Sequence, residues 1–213
     1  MNGEWPLLCT TALSVGAIHT LLGPDHYVPF AALSRAGGWT ARKTLGVTVV
    51  CGLGHVAGSV AIGAIGLLLG SVVLRFEAIE SWRGDVAAWL LIGFGFVYLC
   101  WGAKRAVRAA SHVHAPPAAG SVWTPWLAFL VFVLGPCEPL IPLLMVPAAR
   151  SDPGAVVAVV AAFTAATLGT MVLAVVALRH GLACVYLPVL RRFDDALAGL
   201  AILVCGVLVK VGL

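Results

Sequence analysis

Six long apolar stretches, roughly 6–34, 43–74, 85–103, 124–149, 154–178 and 194–213, make up most of this chain. A helix needs about 20 such residues to cross the hydrocarbon core of a bilayer. Inside that core each backbone amide must bond within its own helix or a closed barrel. The chain is 61% hydrophobic and 10% charged, with a mean hydropathy of +1.03, against roughly 25% charged residues in soluble domains. The expected fold class is therefore all-α: a polytopic membrane protein with six transmembrane helices. The first two stretches exceed one crossing, which predicts tilt, interruption or extension beyond the bilayer. The Met-Asn-Gly-Glu-Trp start lacks a basic run, so no cleavable leader is expected.

A net charge of +4 in such a chain sets orientation and is no sign of nucleic acid. The first, third and fifth linkers hold Arg35, Arg42, Lys43, Lys104, Arg105, Arg108, Arg179, Arg191 and Arg192; the opposite side holds Arg75, Arg83, Arg150 and Lys210. The bias predicts odd linkers in the cytoplasm and both termini outside, in an inner (plasma) membrane. The segment LRFEAIESWRGD reads as a short interfacial helix, Arg150 to Pro153 as a tight turn, and Asp194-Asp195 as an N-cap. The six cysteines form no C-x-x-C pair, so neither a disulfide framework nor a structural zinc site of the usual spacing is expected.

Within the first apolar stretch lies HTLLGPDHYVPF, residues 19–30, which precedes every Lys and Arg of the chain. His19, Asp25 and His26 thus fall at bilayer depth, where ionisable groups are costly and mark functional sites. Pro24 lacks a backbone donor and should break the helix between them. The break recurs: LGPDHYVPFAAL at 22–33 aligns with LGPCEPLIPLLM at 134–145, and Asp25-His26 falls on Cys137-Glu138. The same offset places the second stretch on the fifth and the third on the sixth. This predicts a first three-helix repeat over 1–103, a cytoplasmic linker over 104–123, and a second repeat over 124–213. Three spans per half make the repeats inverted, with Pro-broken first helices meeting near the midplane, a recurrent transporter plan.

Imidazole with carboxylate suits borderline divalent ions such as nickel, cobalt or zinc, and thiolate widens the range. The candidate ligands are His19, Asp25, His26, His55, Cys137 and Glu138. His55 lies among Gly52, Gly54 and Gly58, which permit close helix approach. Glu138, between two prolines, has no basic neighbour in sequence. It should be protonated or face a cation, and either state suits transport. His112 and His114 in the central linker form a His-x-His that could capture metal. Thr164, Thr167 and Thr170 are expected to pack or hydrogen-bond.

HTLLGPDHYVPF, CGLGHVAGSV and FVLGPCEPLIPLLM together resemble the UreH-like (urease-accessory-type) membrane proteins, over about residues 10–210. These belong with the nickel/cobalt transporters, the sulfite-exporter-like proteins and the cytochrome c biogenesis membrane proteins. Nickel/cobalt permeases carry a His, four residues, then Asp-His; here five residues separate His19 from Asp25-His26. The resemblance implies a transporter of a divalent transition metal, nickel or cobalt first and zinc or copper after. No tightly bound cofactor and no enzymatic activity are expected. The transported ion and membrane lipid are the expected partners, nucleic acid is not, and a homo-oligomer stays open. A thiol-redox carrier needs a cysteine pair at matched positions, yet Cys137 falls on Asp25. A sulfite-type anion exporter is disfavoured by acidic groups and by the expected absence of Lys and Arg inside the spans.

Overall fold

A computed structural model describes residues 4–68, 73–109, 123–135, 137, 139–149, 151–184 and 188–212, and every regular element among them is helical. Eight α-helices follow in order: α1 (Glu4–Leu22), α2 (Val28–Ala36), α3 (Ala41–Leu68), α4 (Val73–Ala109), α5 (Trp123–Leu134), α6 (Leu140–Ala149), α7 (Pro153–Cys184) and α8 (Asp194–Lys210). Four of them, α1, α3, α4 and α7, are long and apolar enough to cross a membrane. Leu7, Leu22, Trp82, Val97, Trp126, Val157 and Leu173 are each at least 65% exposed. An outward apolar surface of this kind belongs against lipid.

The first apolar stretch is interrupted where its proline stands. The Gly23 amide makes the last bond of α1, to the His19 carbonyl, and Pro24 has no N–H with which to continue. Pro24–His26 make one tight 3-10 turn before α2 begins. The fourth stretch is also split: α5 ends where Gly135 N–H bonds the Val131 carbonyl, and α6 starts after Leu140 N–H bonds Cys137 O. Two boundaries differ from expectation. The LRFEAIESWRGD segment is no separate interfacial helix, because α4 runs unbroken from Val73 to Ala109 and absorbs the first residues of the expected central linker. At 37 residues and about 1.5 Å per residue, α4 is longer than the bilayer core. Asp194 and Asp195 do not cap α8, whose N-cap is Phe193 without a side-chain bond. Their carboxylates reach across the chain instead, Asp194 to Arg35 and Asp195 to Arg105 and Tyr98. Attraction between partly buried opposite charges outweighs the modest gain of a cap.

These contacts sort the ends of the molecule. Arg35–Asp194 and Arg105–Asp195 tie α2, α4 and the start of α8 at one end, where Arg179 also donates to the Ser34 and Thr44 hydroxyls. At the other end Lys210 bonds Asp85, and the Trp5 indole donates to Asp152 in the turn before α7. Ser151 adopts a positive φ of 53° in that turn, and Asp152 accepts the Ala155 amide.

Two apolar clusters fill the interior. One joins Phe30, Leu33, Trp39, Phe132, Met171 and Ile202; the other joins Ala12, Val56, Cys137, Leu140, Val159 and Phe163. Helices α4 and α8 cross backbone to backbone through Gly95 and Gly102 on one and Gly199 and Gly206 on the other. A Cβ on Gly199 would meet the Leu99 amide closer than side chains ever approach backbone. Small residues of this kind set how closely membrane helices pack. Gly199→Val is expected to prise the crossing apart at a cost of about 3 kcal/mol or more, read as a lower melting temperature in detergent and a loss of monodisperse protein. Gly93, with nothing near its built Cβ, should accept alanine without that loss.

Candidate metal centre

Three of the six expected ligands converge. His19 closes α1, His26 ends the 3-10 turn, and His55 comes from α3. One ring nitrogen from each lies within 4.8 Å of the others. His26 and His55 are 3% and 2% exposed. The rings of His19 and His26 meet edge to face at 4.8 Å between centroids, those of His26 and His55 at 5.0 Å.

The outer nitrogens decide what the inner ones can do. His55 Nδ1 is 3.2 Å from the Phe132 carbonyl, and His26 Nδ1 is 3.1 Å from the Gly23 carbonyl and 3.2 Å from Asp25 Oδ1. Carbonyl and carboxylate oxygens only accept, so each neutral ring must carry its proton on Nδ1 and present a lone pair at Nε2. Nε2 of His19, His26 and His55 is buried with no hydrogen-bond partner among the described residues. Two acceptors aimed at one volume cannot satisfy each other, and an unsatisfied buried group costs about 1–3 kcal/mol. A cation held by the lone pairs removes that cost. A metal-bound imidazole fixed through its other nitrogen by a carbonyl or carboxylate is the usual arrangement around such ions.

Asp25 therefore orients His26 and is not one of the converging atoms. The tight turn allows this, since adjacent side chains in a regular helix point apart. Cys137 is fully buried in the apolar cluster of Ala12, Val56 and Leu140 and lies outside the histidine group. Glu138, His112 and His114 lie outside the described residues. Thr164 bonds the Val160 carbonyl, as expected of a packing threonine.

A cavity of about 510 Å³ leads to the histidines, lined by His19, Asp25 and His26 at one end and by Ser81, Asp85 and Gly212 at the other. It opens toward the end that holds Lys210. Phe132 packs on the rings of His26 and His55 and against Phe30 at 4.5 Å. Both phenylalanines are buried and give the site an apolar wall.

Arg83 overturns one expectation. It lies within an apolar helix long enough to span, is 5% exposed, and is not a linker residue. Its guanidinium donates to the Ser59 hydroxyl and to the Val133 and Gly135 carbonyls at the end of α5. Gly58 makes room, since a Cβ there would sit 2.9 Å from the guanidinium. The signal was a stripe: Arg83, Ala87 and Leu91 recur every fourth residue and are all buried.

No family model matches the chain, and no solved structure matches it. Two proteins of Arabidopsis thaliana do. Chloroplast protein FOR GROWTH AND FERTILITY 1 is 33% identical over 91 residues, 43% of this chain and 24% of that protein. Chloroplast protein FOR GROWTH AND FERTILITY 2 is 36% identical over 85 residues, 40% of this chain and 22% of that protein. The matched stretch thus spans less than a quarter of either relative.

Proposed function

We propose that this chain carries a divalent transition-metal cation, nickel or cobalt first, across a membrane, as a UreH-like transporter and not an enzyme. The observation that carries this is the convergence of three imidazoles, one ring nitrogen of each within 4.8 Å of the others, whose buried Nε2 atoms have no hydrogen-bond partner among the described residues. The cavity adds a path to His19 and His26 from the end that holds Asp85, and a site reached from one face is what alternating access needs. Asp25 and Asp85 on the cavity wall favour a cation over an anion on the way in.

The architecture we propose is six spans in two inverted repeats, the broken α1/α2 and α5/α6 each counting as one crossing. Packing supports it. Helix α1 runs along α7 while α5 runs along α3, so each broken helix leans on the second span of the other half, and α4 pairs with α8. A two-fold relation exchanges these pairs. The ion pairs of Arg35 and Arg105 at one end and of Lys210 at the other support basic odd linkers on one face, which under the positive-inside rule we take as cytoplasmic. A plasma membrane is the setting we propose, tested by fractionation of tagged protein.

An anion carrier gains nothing from Arg83, whose guanidinium is engaged by two carbonyls and a hydroxyl and does not line the cavity. Proteoliposomes enclosing a metal-responsive dye test the proposal. Nickel or cobalt should enter with wild-type protein and not with the triple variant His19→Ala, His26→Ala, His55→Ala. Equal flux with both proteins, for nickel, cobalt, zinc and copper alike, ends it.

A further inference from the structure

A second cavity, of about 410 Å³, lies at the end opposite the mouth of the histidine cavity and shares no lining residue with it. Three arginines from three elements line it: Arg35 of α2, Arg179 of α7 and Arg191 from the turn before α8. Ser34 and Trp39 add polar groups, and Leu182 and Ala183 an apolar wall. The one acid on the lining, Asp194, is bonded by Arg35 Nε.

The frame fixes two of these arginines. Arg35 Nη1 donates to the Leu182 carbonyl, and Arg179 Nη1 donates to Ser34 and Thr44. The Nη2 edges of both are not used in any bond to a described residue, and Arg191 is exposed. One carboxylate against three guanidiniums leaves an excess of two positive charges around a space of ligand size. Such a space repels a divalent cation and suits a planar or tetrahedral oxyanion, which guanidinium forks bind through paired N–H donors. Basic pockets between spanning helices at the basic face of a membrane are where anionic headgroups sit.

We infer that the Arg35–Arg179–Arg191 cavity binds a phosphate-bearing anion. The headgroup of an anionic lipid and a soluble phosphate compound share that chemistry, and the apolar wall of Leu182 and Ala183 has a natural occupant in the first acyl carbons of a lipid.

Native mass spectrometry of the full chain in detergent, with added phosphatidylglycerol, phosphatidylcholine or inorganic phosphate, tests the assignment. Wild-type protein should retain phosphatidylglycerol over phosphatidylcholine. Arg191→Gln should lower that retention about fivefold, the worth of one arginine near an anionic headgroup, and Arg191→Glu further. The Arg191 side chain makes no hydrogen bond to a described residue, so both variants should keep the wild-type melting temperature without lipid. Binding of inorganic phosphate that the two variants lose, with no preference between the lipids, assigns the site to a soluble phosphate compound. Equal retention of both lipids with no phosphate binding, or a phosphatidylglycerol preference untouched by Arg191→Glu, overturns the inference. Metal flux has no part in this test, so its outcome is separate from that of the transport proposal.

Discussion

His26→Ala is expected to weaken nickel binding by far more than Asp25→Asn, although the two residues are neighbours in sequence and in space. The difference follows from which atoms would face an ion held in the proposed site. His26 supplies one of the converging nitrogens, while Asp25 touches only the far nitrogen of the same ring, at 3.2 Å. Losing an outer partner of a metal ligand costs roughly 10–100-fold in affinity, and losing the ligand itself should exceed that range. Ion and ring nitrogens sit about 2.0–2.1 Å apart in such sites. Nitrogens around one tetrahedral ion are therefore about 3.3 Å from each other, closer than the 4.8 Å limit of the group here. Binding must draw the three side chains inward, against the contacts that hold His55 to the Phe132 carbonyl and His26 to Gly23 and Asp25. Titration calorimetry of purified protein gives the affinities, and the shift in melting temperature on adding metal gives an independent reading. A ligand at a hundred times its dissociation constant stabilises by about 2.7 kcal/mol. Wild type should show that shift, Asp25→Asn a smaller one at the same metal concentration, and His26→Ala none. The His26 Nε2 makes no hydrogen bond to a described residue, so the metal-free variant loses only the Nδ1 contacts to Gly23 and Asp25, and its melting temperature without metal measures that loss separately. If His26→Ala binds nickel within tenfold of wild type, the three-imidazole site is not where the ion is held.

How much of this could be read from the residues depended on range. The break at Gly23-Pro24 was legible because its cause is local: proline has no amide hydrogen, and helix bonding stops there in any surroundings. His19 and His26, seven positions apart, share a helix face even before the break. Their pairing with His55 depends on α3 packing beside the break, and no spacing rule carries that. Gly52, Gly54 and Gly58 hinted at it, and two of them do admit neighbours close to the ring: Gly54 takes Phe129 and Val133, and Gly58 takes Arg83 and the Val133 carbonyl. Asp25 sits beside His26 Nδ1 at 3.2 Å, a contact that spacing did not show, since a 3-10 turn lets adjacent side chains meet where a helix does not. Arg83 was misplaced because a charge beside Glu80 and Asp85 reads as surface. Its burial follows from two open carbonyls on another helix, 50 residues away and more.

Those carbonyls make Arg83→Leu the substitution with the largest expected cost to the fold. Helix α5 ends at Leu134, so the carbonyls of its last turn have no intrahelical donor. Nη2 of Arg83 reaches one of these, Val133 at 2.8 Å, and the Gly135 carbonyl just past the helix at 3.2 Å. Leucine would fill part of the space and leave both oxygens without that donor, at about 1–3 kcal/mol for each. The loss should appear as a marked fall in melting temperature in detergent. Lysine should recover only part of it, because one ammonium cannot reproduce the guanidinium fork that also reaches Ser59. The same change should be felt at the histidines. A Cβ built on Gly135 would lie 3.1 Å from His55 Nδ1, and Phe132, whose carbonyl orients that ring, is one turn back on the same helix. If α5 loses its anchor, the Phe132 carbonyl shifts and His55 loses its outer partner, which predicts a fall in nickel affinity of roughly 10-fold or more. A purely structural arginine would lower the melting temperature and leave the affinity of the surviving folded protein unchanged. That result would separate the end of α5 from the metal site.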